Sequence, residues 1–575
     1  MSKGPKPTGL RKGLTSYGDP GFSLFLRKAF IKAMGYSDDA LTRPIVGITN
    51  TYSDYNPCHG NVPQLIEAVK RGVMLAGAMP MVFPTISIAE SFSYPTSMYV
   101  RNLMAMDTEE MIRAQPMDAV VVIGGCDKTL PAQIMGAASA DLPMIVVPVG
   151  PMVVGHHKGE VLGACTDCRR MWGKYRAGEI DEAEIEAVNG RLAPSVGTCM
   201  VMGTASTMAC VTEALGLSLP MSATIPAPHS ERVRSAEASG KRAAEMAASG
   251  GPRPSEILTP AAFKNAQVVM QAIGGSTNGI VHLSAMAGRT PHKIDLEEFD
   301  AIGRRVPMLI DLKPSGQHYM EHFHHAGGVP KLMKELGDLL DLDAKTVAGV
   351  TLREIVAKAE EVPGQDAIRP RSNPIKKEGS MAVLRGNLAP RTAIIKQAAA
   401  TEKLLQHTGR AVVFESVEDM TLRMDDPNLD VNADDVLVLR NAGPKGAPGM
   451  PEAGYLPIPK KLAQQGVKDM VRISDARMSG TAFGTIVLHI SPESAVGGPL
   501  ALVRNGDRIK LDVAGRRIDL LVDEAELTKR RQSLKIDANP DWAERGYAYL
   551  FHKTITQADE GCDFDFLARG GPPRE

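Results

Sequence analysis

Residues 118–132 read DAVVVIGGCDKTLPA. Asp118 to Ile123 is short, rich in β-branched residues and bounded by turn formers, the texture of a strand buried on both faces in a parallel sheet. Cys126 then sits just past the strand's carboxyl end, the edge where open α/β sheets bind ligands. Working outward, residues 45–51 (IVGITNT), 81–88 and 144–149 have the same strand texture. Between and after the strands, residues 62–78, 97–113 and 130–138 carry apolar side chains at helical spacing, as do 204–215 and 261–272 further on. A βαβα alternation of this kind predicts a parallel sheet covered by helices.

The texture changes at residues 370–379 (PRSNPIKKEG), a Pro-rich charged stretch suited to a linker. Beyond it lie short strand-like runs at 381–385, 411–414, 436–439, 470–473, 485–490, 500–503, 508–513 and 517–522, with a hairpin expected around Ala514-Gly515. The expectation is therefore an α/β chain, with an N-terminal parallel-sheet domain over 1–375 and a mostly β, barrel-like domain over 376–575.

At 575 residues the chain exceeds what one hydrophobic core supports. A net charge of −1 gives no footprint for nucleic acid or an anionic membrane, and no run of about 18 apolar residues could span a bilayer. Seven cysteines in so long a chain are not a disulfide framework, and the opening MSKGPKPTGLRKG lacks an apolar leader segment. These features point to an enzyme acting on small molecules in a reducing cytoplasm.

Three cysteines stand at separate loop positions, in PCHG (57–60), GGCDKTLPA (124–132) and GTCMVMGTASTM (197–208). Three thiolates from distant loops suit an iron–sulfur centre with an open coordination position better than a closed zinc site, though three unrelated buried cysteines would look the same. Glu90 and Asp127, both past strand ends, could offer oxygens to Mg²⁺, though a single Glu after a strand is more often a helix cap. Lys128 is out of place beside a cation unless it pairs with these carboxylates or is converted to a carbamate. GPKGAPGMPE (443–452) is a turn-rich loop ending in Glu452, and RISDARMSGTAFG (472–484) carries Ser479 in a polar turn, where a hydroxyl acts as a base only beside positive charge. The CxxC at Cys165 and Cys168 is a weak signal without a second pair, and His318, His322, His324 and His325 read as packing or pocket lining.

Taken together with GGSTN (274–278) and RGNLAP (385–390), these motifs resemble the dihydroxy-acid and sugar-acid dehydratase family from about residue 43 to the end of the C-terminal domain. The resemblance implies a [2Fe-2S] cluster on Cys58, Cys126 and Cys199, and Mg²⁺ on Glu90, Asp127, carbamylated Lys128 and Glu452. It implies Ser479 as the base, with His59, Ser276, Thr277, Arg477 and Thr481 near the substrate. It also implies an active site between the two domains of a homodimer or homotetramer. The expected reaction is dehydration of a sugar acid (an aldonate) to a 2-keto-3-deoxy acid, since SDARMSGTA differs from the DGRFSGG usual in branched-chain enzymes. A dihydroxy-acid dehydratase of branched-chain biosynthesis and an inactive sugar-acid-binding or iron-sensing homologue are the alternatives.

Overall fold

The computed structural model describes residues 7–568; the first six residues of the opening stretch and the last seven of the chain lie outside the described residues. Strands β1 (Ile45–Asn50), β2 (Met79–Pro84), β3 (Ala119–Gly124) and β4 (Met144–Pro148) form a parallel sheet in the order β2-β1-β3-β4. Every residue of β3 is buried, as its unbroken apolar run requires when both faces are covered. Helices Val62–Leu75 and Ser230–Ser249 pack on each other, as do Ser97–Ala114 and Thr129–Ala140. The first pair crosses so closely that a Cβ on Gly72 would lie 2.0 Å from the Glu237 carbonyl oxygen.

β2 begins and ends earlier than its sequence texture suggested. It is an edge strand whose only partner, β1, stops at Asn50, opposite Pro84, so the apolar residues that follow have no ladder to join. A small antiparallel hairpin, β5 (Gly155–His157) with β6 (Glu160–Leu162), then leads into the Cys165–Cys168 segment.

The second half builds β7 (Ala382–Leu384), β8 (Thr392–Ile395), β9 (Gln406–Phe414), β10 (Val436–Leu439), β11 (Val471–Ser474), β12 (Ile486–Ser491), β13 (Arg508–Asp512) and β14 (Arg517–Leu520). They run in the order β14-β13-β9-β10-β11-β12-β8-β7, parallel from β9 to β12 and antiparallel on both flanks. The outer strands meet where Arg385 N donates to Arg516 O (3.0 Å) and Ile518 N to Arg385 O (2.9 Å), so the sheet is a nearly closed barrel. Along β10 the pleat sends Val436 and Val438 into the barrel core and Leu437 and Leu439 to the helices outside it. The hairpin around Ala514-Gly515 joins β13 to β14 as expected. Residues 500–503, expected as a strand, lie at a short 3-10 turn (Pro499–Leu502); the turn still delivers Leu500, Leu502 and Val503 to the barrel core.

Residues 561–563 pack against the first domain. Buried Arg101 donates to the carbonyls of Gly561 (2.9 Å) and Cys562 (2.6 Å), and Arg289 pairs with Asp563 at 2.6 Å. All seven cysteines are free thiols, and among the described residues no helix is long and apolar enough to cross a membrane.

Candidate active site

Cys58 lies in the 3-10 turn Pro57–His59 after β1, and Cys126 lies two residues after β3. The two loops are fastened by His59, which is fully buried. Its Nδ1 lies 2.8 Å from the Thr51 carbonyl, which can only accept, so Nδ1 carries the proton. Nε2 is then free to accept from the N–H groups of Gly125 and Cys126, each at 3.0 Å. Burial pushes the imidazole down to about 4, against the Thr51 hydrogen bond, which favours the protonated ring. Both nitrogens are committed to backbone, so the expectation that His59 meets the substrate gives way to a positioning role.

His59→Ala would strand two buried amides at about 1–3 kcal/mol each. It is expected to lower the melting temperature by several degrees. An unchanged melting temperature would remove the role. Because the unfolded chain takes up the proton first, the stabilisation from neutral His59 is complete above the ordinary imidazole value of 6.5 and declines as pH falls towards about 4.

The third thiol, Cys199, follows Thr198, whose N–H donates to Gly150 O (2.9 Å) just beyond β4. The neighbouring Cys58 and burial push the Cys126 thiol up, and Cys165, burial and then the charges of Cys58 and Asp127 push Cys199 up. The structure thus brings the loops after β1 and β3 together with the segment after helix Glu182–Asn189, which carries Cys199. Cys165, from the CxxC, also arrives here, its sulfur 3.3 Å from that of Cys199.

Beside the thiols is a cage of carboxylates. Glu90, Asp127 and Glu452 each present an oxygen, the three lying within 4.8 Å of one another. Glu90 opens a 3-10 turn past β2, and Glu452 opens another at the end of the Gly/Pro-rich loop, so the cage spans both halves of the chain. Cys126 Sγ is 3.5 Å from Asp127 Oδ1, which makes the soft and hard donor sets neighbours.

Two cations face this cage. Lys128 Nζ is completely buried, paired with Asp127 and placed 3.3 Å from Glu90 and 3.5 Å from Glu452. Burial and Arg477 work against its charge, yet Asp127, Glu90 and Glu452 together hold it above the ordinary lysine value. Arg477, 1 % exposed, binds Glu452 and reaches Glu90 at 3.3 Å and Thr96 Oγ1 at 2.6 Å. Burial alone would raise the Glu90 carboxyl, but Lys128, Arg477 and the hydroxyls of Ser97 and Thr96 hold it well below the usual carboxylate range. At Glu452 burial wins, and the carboxyl is raised despite both cations. Arg477, expected near the substrate, is therefore first a partner of the carboxylates.

Ser479 follows two residues later. It is the one partly exposed residue in the otherwise buried run 471–482. Its Oγ lies 2.8 Å from Thr481 Oγ1, and the Thr481 carbonyl accepts from Thr166 Oγ1 at 2.9 Å. The first domain supports this loop through GGSTN: Asn278 Nδ2 donates to Met478 O at 2.9 Å, and a Cβ on Gly480 would lie 2.5 Å from Ser276 Oγ. Ser276 caps helix Thr277–Gly288 and bonds Thr204 Oγ1 at 2.9 Å, so it braces the loop, whereas buried Thr277 leaves its Oγ1 without a partner. Of the four histidines, His318 pairs with Asp366 (3.0 Å), His324 with Glu231 (3.3 Å) and His322 accepts from Tyr319 N, as packing residues do.

The profile described as dihydroxy-acid/6-phosphogluconate dehydratase N-terminal matches residues 43–355, and the corresponding C-terminal profile matches 366–562. The chain belongs to the dihydroxy-acid/6-phosphogluconate dehydratase family. Similar proteins include the L-arabonate dehydratase of Azospirillum brasilense, 48% identical over 94% of each chain. The 6-deoxy-6-sulfo-D-gluconate dehydratase of Pseudomonas putida is 43% identical over 93% of this chain and 92% of that one. The dihydroxy-acid dehydratase of Acetivibrio thermocellus is 38% identical over 93% and 96%. Against this dehydratase-family background, Thr96, Ser97, Asn278 and Thr166 are the site residues that sequence reasoning missed. Asn278 alone had a signal, its place in GGSTN.

Proposed function

We propose that the protein is a hydro-lyase that converts sugar acids to 2-keto-3-deoxy acids. The reading is carried by one observation, the meeting of three thiols and three carboxylates at Cys126 and Asp127 within reach of the Ser479 loop. The sugar-acid dehydratases above are more similar to this chain than the dihydroxy-acid dehydratase is, which favours aldonates over branched-chain acids.

The residues fit the groups the family resemblance implies: soft sulfurs from three loops for a [2Fe-2S] cluster, and hard oxygens for Mg²⁺ at Glu90, Asp127, Glu452 and carbamylated Lys128. When bound, these groups would supply Lewis acidity for the departing C3 hydroxyl and positive charge opposite the substrate carboxylate and C2 oxygen. Ser479 Oγ takes the C2 proton, Thr481 Oγ1 holds that hydroxyl in place, and Asn278 fixes the backbone behind it. Thr96 and Ser97 orient Glu90, and Arg477 offsets the carboxylate charge. The resulting enol tautomerises to the 2-keto acid. We also expect a homodimer or homotetramer kept in the cytoplasm, where thiols stay reduced.

The test is keto-acid formation by anaerobically purified protein over a panel of aldonates and a branched-chain 2,3-dihydroxy acid. Turnover of aldonates supports the reading; turnover of the branched-chain acid alone replaces it with dihydroxy-acid dehydratase, and none at all favours an inactive homologue. In the same preparation Cys58→Ser, Cys126→Ser and Cys199→Ser should each lose the visible chromophore, and Cys562→Ser should keep it. A chromophore that survives Cys199→Ser would overturn the ligand set.

A further inference from the structure

One pair of thiols is in direct contact: Cys165 Sγ lies 3.3 Å from Cys199 Sγ. Cys165, Cys168 and Cys199 share an apolar patch with Met152, Ala164 and Met200. Two thiolates on one tetrahedral metal, with bonds of ~2.3 Å, stand roughly 3.7 Å apart, so the Cys165–Cys199 separation is close to that of two ligands of one ion.

The placement of Cys165 is built from both sides. It is the N-cap residue of helix Thr166–Ala177, but its side chain caps nothing, which leaves the sulfur available. Thr166 ties the helix start to the Thr481 carbonyl beside Ser479. Asp167, nearly fully buried, accepts from Gly163 N (2.9 Å), Tyr319 OH (2.9 Å) and Lys313 Nζ (3.1 Å) and pairs with Arg170. The thiol is thus held beside Cys199 by a network that also touches the catalytic loop.

We propose that Cys165 is a fourth thiolate of the iron–sulfur centre, closing the coordination position beside Cys199 in the substrate-free protein and yielding it to the substrate hydroxyl. The proposal rests on the cluster reading above. That reading gives the [2Fe-2S] centre three thiolates where full protein ligation takes four, two on each iron, and Cys165, in contact with Cys199, would supply the fourth. The exchange transfers no electron: the Cys165 sulfur leaves with its electron pair, and the hydroxyl oxygen brings one in its place. The released thiolate rests at a helix N-terminus, where the free N–H groups favour negative charge. A centre closed in this way is shielded from oxygen until substrate arrives, and Cys168, which contacts Cys165, serves as the internal comparison.

The experiment compares full-length wild type, Cys165→Ser and Cys168→Ser, purified without oxygen, by iron and sulfide content, visible and EPR spectra, and the rate of bleaching in air. Equal iron and sulfide in all three is expected, with a shifted spectrum and several-fold faster bleaching for Cys165→Ser alone. Should Cys165→Ser fail to hold iron or to fold, alkylation of the wild type by iodoacetamide with peptide mapping decides. Cys165 should be protected in the loaded protein and react after iron chelation, or on adding whichever aldonate is turned over. Alkylation of Cys165 with the cluster intact and no substrate, protection that persists with substrate, or a Cys165→Ser spectrum and bleaching rate equal to wild type would each overturn the proposal. Wild type that takes up no iron and sulfide fails the cluster reading itself, a separate result.

Discussion

Under the proposed carbamate, Lys128→Met should keep the iron and sulfide of the proposed cluster and lose magnesium-dependent turnover by at least about 10³-fold. Lys128 is completely buried with three carboxylates around its Nζ, and methionine fills a similar volume without the nitrogen. An ammonium at that position repels a divalent cation, whereas a carbamate on the same nitrogen presents an anionic oxygen in the middle of the cage. The variant cannot form the carbamate, so magnesium binding measured by calorimetry should fall with activity. The visible spectrum should stay, because no thiol is touched. Wild type depleted of carbon dioxide should recover activity on adding bicarbonate, and the variant should not. Magnesium-dependent turnover within about tenfold of wild type in Lys128→Met would end the carbamate proposal, with about 1.4 kcal/mol as the most the residue then contributes.

Ser479→Ala should lower turnover by about 10²–10⁴-fold while both metals and substrate affinity remain nearly intact, the range typical of removing a positioned base. An unperturbed serine hydroxyl is too weak to take a C2 proton, so the proposed role requires positive charge close to Oγ, and Arg477 two residues away already anchors the loop to the carboxylate cage. Exchange of the C2 proton with solvent deuterium, followed by NMR, should decline in parallel with turnover. Near-normal exchange in the variant would move the base role elsewhere. His59 is a poor successor, since Nδ1 faces the Thr51 carbonyl and Nε2 accepts two amides.

Much of the architecture was legible because it is written in short-range pattern. The buried run of β3, the helical spacing of 62–75 and the hairpin at Ala514-Gly515 each depend on neighbours a few residues apart. β8 (Thr392–Ile395) went unread because four residues beside Pro390 give too little periodicity, and 500–503 was misread because an apolar run shows burial without showing its period. The roles of individual site residues were harder to see for the same reason. His59 meets Gly125 across 66 positions and Arg477 meets Glu90 across 387, and no local pattern encodes such partners. Cys165 belongs to this class too: its CxxC spacing directed attention to Cys168, while the sulfur that matters to it comes from Cys199.

The clasp between residues 561–563 and the first domain has a consequence in time. Arg101 is fully buried, and it bonds carbonyls 460 and 461 positions later; Arg289 waits 274 positions for Asp563. At synthesis rates of about 5–20 residues per second, Arg101 leaves the ribosome roughly 20–90 s before those carbonyls exist. Until then the guanidinium has Asn102 and His282 beside it but neither carbonyl, too few acceptors for a buried cation. The wall of the first domain around Arg101 is therefore expected to stay hydrated during translation until residues 561–563 dock and seal it.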